Sequence, residues 1–206
     1  MKPKGKPIKW SHKVAYVIGL ITTDGSLSKD GYHIDFTSKD TQLLKTFKKC
    51  LGINNRITKK LSGVGNTSFR VQFGNVILYR WLIDVGLIPN KSKTIGTLKI
   101  PNQYFFHFLR GHLDGDGNIR NYQDPVYPKS ERLYIRFCSG SLKHIQWLRQ
   151  KIMSLLNIRG FITDRGNEFL LIFAKRNSLI LLPHLYPQPN LPCLRRKFRI
   201  AKKFLK

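Results

Sequence analysis

The sequence predicts an α+β fold of two pseudo-symmetric repeats, each ordered helix, two strands, helix, two strands, helix (αββαββα). The first observation behind this prediction is a frame, apolar-x-Gly-x-apolar-x-x-Asp-Gly, which occurs at Val17–Gly25 and again at Leu109–Gly117. The second is that the same order of apolar patterns follows each frame. Because one repeat alone would leave an apolar face open, the two repeats must pack against each other.

Each frame is predicted to be a helix, and the period of the apolar residues assigns the elements that follow it. In the first repeat these are a strand at Tyr32–Thr37, a helix at Thr41–Leu51, strands at Arg56–Leu61 and Ser68–Phe73, and a helix at Val76–Val85. In the second they are a strand at Leu133–Cys138, a helix at Leu142–Leu156, strands at Phe161–Arg165 and Glu168–Phe173, and a helix at Ser178–Leu185. The spacing differs mainly through an insertion near Tyr122–Arg132. The chain thus divides into a basic N-terminal arm (1–9), a first repeat (10–88), a linker (89–101) and a second repeat (102–206).

The charge of the chain is the first indication of function. Lys and Arg number 37 against 11 acidic residues in 206, a formal net charge of +26, which is typical of a protein that binds a polyanion such as nucleic acid. We find no apolar run of about 18 residues and no signal-peptide pattern, so we expect an intracellular protein without a membrane partner. The three cysteines include no Cys-x-x-Cys pair, which argues against a zinc module or a disulfide framework.

Small residues in the frames favour a close crossing of the two helices. Gly19 and Thr23 are four residues apart, as are Gly111 and Gly115, so each pair lies on one helix face. We also expect Gly25 and Gly117 to end the helices in the left-handed conformation.

Such a crossing would bring the two acids of the frames together. Asp24 and Asp116 would then repel each other and the helix dipoles, an arrangement that makes sense if hard divalent cations lie between them. The backbone carbonyl groups of Thr23 and Gly115 are natural additional ligands. A pair of metal ions that clamps a phosphate is a common solution for phosphodiester hydrolysis.

The frames VIGLITTDG and LRGHLDGDG resemble the two motifs of the LAGLIDADG homing endonucleases. The segments 86–92 and 100–101 are similar to the bridge that leads into the family's second motif, and Leu194-Arg195-Arg196-Lys197 is similar to its C-terminal segment. The resemblance covers nearly the whole chain. It implies paired LAGLIDADG helices at the interface between the repeats and antiparallel sheets that form a DNA-binding saddle.

The resemblance also implies an activity. It predicts a monomeric, site-specific DNA endonuclease that makes a double-strand break with 3′ overhangs in a target of about 20 base pairs. Asp24 and Asp116 would hold Mg2+ or Mn2+, whereas Ca2+ would bind without supporting cleavage. Lys91 and Lys197 correspond to basic residues that support the family's active site.

Two features depart from the family pattern. Ser38 and Ser139 stand where relatives carry a longer side chain that orders water, which puts the water network in doubt. Thr22 stands where the motif commonly has its first Asp, although the second motif keeps that residue as Asp114.

The alternation of side chains along the strands predicts which residues face DNA. The outward residues are Ser26, Ser28, His33, Asp35, Arg56, Thr58, Lys60, Ser68, Arg70 and Gln72 in the first repeat, and Asn118, Arg120, Arg132, Tyr134, Arg136, Thr163 and Arg165 in the second. Glu168, Leu170 and Ile172 have the matching parity but form a less polar edge.

Two other functions use the same scaffold. One is an RNA-binding maturase for a group I intron, with intron RNA as its partner, and the other is a DNA-binding regulator without catalysis. Retention of both Asp24 and Asp116 favours cleavage. The absence of intein splice-junction residues favours a free-standing, intron-encoded protein.

Overall fold

The structure, a computed structural model, describes residues 7–61 and 67–205. The first repeat contains α1 (His12–Asp24), β1 (Gly25–Leu27), β2 (His33–Ser38), α2 (Thr41–Leu51), β3 (Ile57–Leu61), β4 (Thr67–Gly74) and α3 (Val76–Val85). The second contains α4 (Asn102–Gly115), β5 (Asn118–Gln123), β6 (Glu131–Ser139), α5 (Leu142–Leu156), β7 (Phe161–Asp164), β8 (Phe169–Phe173) and α6 (Lys175–Leu185), followed by α7 (Arg195–Lys202). The predicted αββαββα order is therefore confirmed in both repeats. Most of the predicted N-terminal arm lies outside the described residues.

Local sequence explains where the helices begin and end. The side chain of Ser11 accepts a hydrogen bond from the Val14 amide at the start of α1, and Asp40, Asn75 and Ser141 cap α2, α3 and α5 in the same way. α2 ends at Gly52, which has a φ of 66° that glycine adopts without strain.

Each repeat contributes one antiparallel sheet of four strands. The strand order is β1-β2-β4-β3 in the first sheet and β5-β6-β8-β7 in the second. In the first sheet Ile34, Phe36 and Val71 are fully buried under the helices, while their sequence neighbours face the other way. The two sheets thus share the alternation that the sequence predicted.

The hairpin after each frame differs in length between the repeats. β1 pairs with β2 over three positions, whereas β5 pairs with β6 over six. The insertion predicted near Tyr122–Arg132 is this extension. Its turn is held by Asp124, which accepts hydrogen bonds from the amides of Val126 and Tyr127 and forms an ion pair with Arg132.

The prediction of left-handed caps at Gly25 and Gly117 is wrong. Gly25 ends α1 in an extended conformation with φ −92°, and Gly117 is not among the described residues of positive φ. Both positions require glycine because there is no room for a side chain. A Cβ atom would lie 2.5 Å from the Cα of Ile21 at the first position and 2.7 Å from the Cα of Leu113 at the second.

Among the described residues, no helix combines the length and the apolar character that crossing a bilayer requires.

Candidate functional site

Helices α1 and α4 cross at the centre of the molecule, and glycine makes the crossing possible. A Cβ atom on Gly19 would lie 2.1 Å from the carbonyl oxygen of Phe108, and one on Gly111 would lie 2.0 Å from that of Tyr16. Both contacts are far inside van der Waals distance, so the backbones touch directly. The close crossing predicted from the small residues is therefore present.

The crossing brings Asp24 and Asp116 together at the C-terminal ends of the two helices, where each carboxyl group lies close enough to shift the pKa of the other. Burial, followed by the charge of Asp116, raises the pKa of Asp24 from 3.8 to about 7. The pKa of Asp116 is also raised, mainly by burial. The surroundings of the pair therefore disfavour two adjacent negative charges.

Lys91, in the linker, and Lys197, in the second repeat, lie beside the two acids. Their side chains are buried, with 5% and 3% of their surface exposed. Burial lowers the pKa of each to about 8, while the nearby carboxylates act in the opposite direction. The structure thus brings both predicted lysines to the acid pair.

The ammonium groups of these lysines bind the ends of the crossed helices. Lys91 donates to the carbonyl of Gly25, directly after α1. Lys197 donates to four carbonyl oxygens around the end of α4: those of Leu113 (2.5 Å), Asp114 (2.9 Å), Gly115 (3.2 Å) and Gly117 (2.6 Å). Cations at a helix C-terminus are favourable because they neutralise its partial negative charge.

The donor set at the crossing suits a hard divalent cation. A carboxyl group whose pKa is raised by a neighbouring carboxylate can exchange its proton for a metal ion, and oxygen is the ligand atom that Mg2+ prefers. The described residues contain no cluster of three or more His, Cys, Asp or Glu side chains. Side chains would therefore supply two ligands, and backbone carbonyl, water or phosphate oxygens the others. Of the two predicted carbonyl ligands, that of Gly115 accepts a hydrogen bond from Lys197, and Thr23 lies against Gly115 across the crossing.

Ser38 and Ser139 end the equivalent strands β2 and β6. Each hydroxyl group accepts a hydrogen bond from a backbone amide two residues later, that of Asp40 in one repeat and that of Ser141 in the other, at 3.1 Å in both. Each serine therefore supports the residue that caps the next helix. A role in ordering water stays a prediction.

The residues predicted to face DNA in the first repeat lie on one side of their sheet. Register pairs Ser26 with Asp35, Asp35 with Gln72, and Arg70 with both Thr37 and Thr58. His33, Lys60 and Ser68 have the same parity, whereas Ser28 lies in the β1–β2 turn and Arg56 directly before β3. Asp35 forms an ion pair of 3.5 Å with Arg70.

The second repeat divides its outer face into a polar half and an apolar half. Register pairs Asn118 with Arg136, Arg120 with Tyr134 and Tyr122 with Arg132, so the β5–β6 hairpin is polar and basic. Arg136 lies over the ring of Tyr134, with 5.7 Å between the guanidinium carbon and the ring centroid.

Strands β7 and β8 form the apolar half. Thr163 pairs there with Leu170, and Phe161, which is 52% exposed, pairs with Ile172. The less polar edge predicted from Leu170 and Ile172 is thus present, and Phe161 belongs to it. Arg165 and Glu168 lie in the turn between these strands.

A buried polar network behind the acid pair was not predicted. Asp114 accepts hydrogen bonds from the hydroxyl of Tyr16 (2.8 Å) and the amide of Leu194 (2.7 Å). Arg110 is fully buried, lies over the Tyr16 ring and donates to the carbonyls of Leu185 and Pro192. The network ties α1 and α4 to the segment that leads into α7. The sequence contained a signal for this network, because Arg110 and Asp114 are charged residues on the apolar face of a frame helix.

A second unpredicted contact is near Asp116. The thiol of Cys138 donates to the carboxylate of Glu168 (2.8 Å), and the charge of Glu168 contributes to the raised pKa of Asp116. A third carboxylate thus lies at the second repeat's side of the site.

Comparison with known proteins identifies the first repeat directly. Residues 11–83 match the family described as the LAGLIDADG-like domain. An A-type ATP synthase component from Methanopyrus kandleri is 30% identical over 113 residues, which are 53% of this chain and 10% of that protein. The matched segment thus spans about a tenth of that relative's length.

Solved structures share the fold over the whole chain. The homing endonuclease I-WcaI bound to its DNA recognition sequence has a TM-score of 0.65 at 12% identity, with 93% of this chain and 88% of that chain covered. Meganuclease I-SmaMI bound to uncleavable DNA has 0.64 at 14% identity, with 94% and 90% covered. Full-length DUF199/WhiA from Thermatoga maritima has 0.60 at 15% identity, and the match covers 97% of this chain but 63% of that protein.

Proposed function

We propose that the chain is a member of the LAGLIDADG family and, within it, a homing endonuclease that makes a double-strand break in a specific duplex DNA site. The target would span about 20 base pairs, with 3′ overhangs after cleavage. The structures with the same fold include endonucleases bound to DNA, which supports double-stranded DNA as the partner.

One observation carries the proposal: two carboxyl groups from different repeats meet at a buried helix crossing. Asp24 and Asp116 lie so close that the charge of Asp116 raises the pKa of Asp24. An arrangement of this kind destabilises the fold at neutral pH, because burial and mutual repulsion oppose ionisation. A protein that only binds DNA has no use for it.

Asp24 and Asp116 would hold a divalent cation, Mg2+ or Mn2+, which would supply the activation of water and the neutralisation of phosphate charge. The chain's own residues do the rest. Asp24 and Asp116 would bind and orient the cation. Lys91 and Lys197 hold the helix ends at which these acids lie. The lysines also place positive charge near the position of a scissile phosphate.

The two sheet faces supply the DNA contacts. Arg70, Gln72, Arg120 and Arg136 are exposed or half-buried on the faces away from the core, and Arg and Gln side chains read base edges in the major groove. Since β1 starts directly after Asp24 and β5 starts two residues after Asp116, the two sheets begin at the acid pair. In the proposed enzyme the acid pair would be the cleavage centre, with a DNA-recognition surface on either side.

The test is a cleavage selection from a randomised duplex library with Mg2+, followed by substitution of the acids. Asp24→Asn and Asp116→Asn should each abolish cleavage of the selected site and leave duplex binding within a few-fold of the parent. Asp84→Asn, on the exposed surface of α3, is the matched control and should cut normally. Cleavage at the parent rate by either active-site variant would remove the proposal.

The second candidate is a DNA-binding regulator without cleavage. It is favoured by the similarity to WhiA, which extends over 97% of this chain. Specific duplex binding with no cleavage under any divalent cation would establish this candidate instead.

A further inference from the structure

A second basic surface lies on the helix side of the molecule, away from the acid pair. A groove of about 1120 Å³ opens between the start of α1, helix α2 and the segment 189–202. Lys13 at its edge and Asp24 are at opposite ends of α1, about 16 Å apart along the axis. The apolar face of α2 packs on the core, so the lysines of its opposite face point away from the sheet.

The groove has a strong and uncompensated positive charge. Its walls carry six Lys and Arg side chains: Lys13, Lys45, Lys49, Arg195, Arg199 and Lys202. Among its described lining residues there is no Asp or Glu, and none of the six cations takes part in an ion pair between described residues. Asp40, directly before the lining residue Thr41, pairs with Arg196 instead. A concave surface lined by one sign of charge concentrates the field and attracts an anion.

Hydrogen bonds hold the two walls of the groove together. The Gln42 side chain donates to the carbonyl of Cys193 (3.1 Å) and accepts from the amide of Arg195 (2.9 Å), which joins α2 to the chain entering α7. The side-chain amide of Gln42 also donates to Thr46. The groove is therefore a formed feature of the fold, and its cations are presented on fixed helices.

We propose that this groove binds single-stranded nucleic acid, independently of the duplex bound by the sheets. Its volume of about 1120 Å³ is slightly above that of small-ligand sites, roughly 300–1,000 Å³, and accommodates a few nucleotides of one strand. A duplex instead requires an extended surface such as the two sheets provide. Phe198 is the aromatic residue that lines the groove, so phosphate contacts dominate over base stacking. The binding should accordingly have little sequence preference and a steep dependence on salt.

The experiment uses double variants to distinguish binding at the groove from binding at the sheets. Lys45→Gln with Lys49→Gln removes two charges from exposed positions of α2 and keeps residues of similar helix propensity. Lys175→Gln with Arg176→Gln removes two charges from the exposed start of α6, outside the groove, as the matched control. The probes are labelled RNA and DNA oligonucleotides of about 12 nucleotides, a length typical of single-strand sites, a duplex, and a labelled polyglutamate peptide.

The groove variant should weaken oligonucleotide binding by at least about tenfold and lower the salt slope by about 1.4, since each single-strand phosphate contact contributes about 0.7. Its duplex affinity and the control's binding of every probe should stay within about twofold. Arg199→Gln with Lys202→Gln, on the opposite wall, should repeat the effect if the first variant proves unstable. Tighter binding of RNA than of DNA, or the reverse, supports the proposal and identifies the strand type.

Three results would overturn the proposal. The first is oligonucleotide binding that is lost on Arg70→Gln with Arg136→Gln, on the sheets, and kept in the groove variants. The second is polyglutamate binding at the groove without oligonucleotide binding, which would indicate an acidic protein partner. The third is equal weakening by the α6 control. None of these depends on cleavage, so failure here and failure of the endonuclease proposal are distinguishable.

Discussion

Replacing Gly19 by alanine tests the helix crossing on which the site depends. The new Cβ atom would lie 2.1 Å from the carbonyl oxygen of Phe108 and 2.5 Å from the amide nitrogen of His112. Both neighbours are backbone atoms of α4, so no side chain can rotate away. Relief of the contact requires the two helices to separate by more than about 1 Å, given an ordinary contact distance of about 3.5 Å.

The magnitude follows from two opposing effects. Overpacking of a well-packed core costs about 1–3 kcal/mol, and a backbone collision belongs at the upper end of this range. Alanine in place of glycine within a helix regains about 1 kcal/mol. The net loss should therefore be about 2 kcal/mol, which for a chain of this size lowers Tm by about 4–8 °C. The cleavage rate should fall by more than the loss of folded protein explains, because the separation of the helices moves Asp24 away from Asp116.

Urea and thermal unfolding of Gly19→Ala, with duplex cleavage measured below Tm, check both expectations. Gly96→Ala is the control, since a Cβ atom there meets the Lys143 side chain at 3.3 Å and that side chain can move. If Gly19→Ala unfolded at the parent temperature and cut at the parent rate, the crossing at this residue would be refuted.

Two further predictions concern the charges at the crossing. Because the pKa of Asp24 is raised to about 7, the folded metal-free protein holds a proton that the unfolded chain releases near pH 4, so its free energy of unfolding should fall as pH rises from about 4 to about 7. Mg2+ should raise Tm at pH 8 and have little effect at pH 5, and Asp24→Asn should flatten the pH dependence, as followed by thermal unfolding with EDTA or MgCl2. Lys197→Met leaves four carbonyl groups at the end of α4 without this donor, and should lower the free energy of unfolding by about 1–3 kcal/mol relative to the exposed control Lys203→Met. Unchanged stability with lost cleavage would mean that Lys197 acts on phosphate alone.

The order of helices and strands could be predicted from the sequence because it depends on the local period of the apolar residues. The bounds of α2, α3 and α5 agree with prediction, and the strand ends differ by a few residues because pairing partners decide where a ladder stops. The meeting of Asp24 and Asp116 was also predictable, since the frame that carries each acid is repeated in equivalent context. Because the motif occurs twice, it predicted a contact between two residues that are far apart in the sequence.

Where no pattern is repeated, the sequence did not show which residues contact each other. The hydrogen bonds of Lys197 to the end of α4 and the network of Arg110 and Asp114 join residues about 80 positions apart, and no periodicity links them. The conformations of Gly25 and Gly117 were assigned wrongly because glycine serves either positive φ or close approach, and composition does not distinguish the two.

The charge balance of the site predicts that metal and DNA bind cooperatively. Without metal and below about pH 7, Asp24 is protonated beside Asp116, and the pair faces the ammonium groups of Lys91 and Lys197, so the cluster is already slightly positive. Replacing the proton by a divalent cation adds one further positive charge beside two buried ammonium groups, which is unfavourable unless an anion arrives with it. A DNA phosphate supplies that anion, and linkage requires each ligand to strengthen the other equally. Calorimetric titration of Ca2+ should therefore give a dissociation constant at least about fivefold lower with target duplex than without it. Asp84→Asn should retain this coupling, while Asp24→Asn should lose it, and equal Ca2+ affinity with and without duplex would contradict the charge argument.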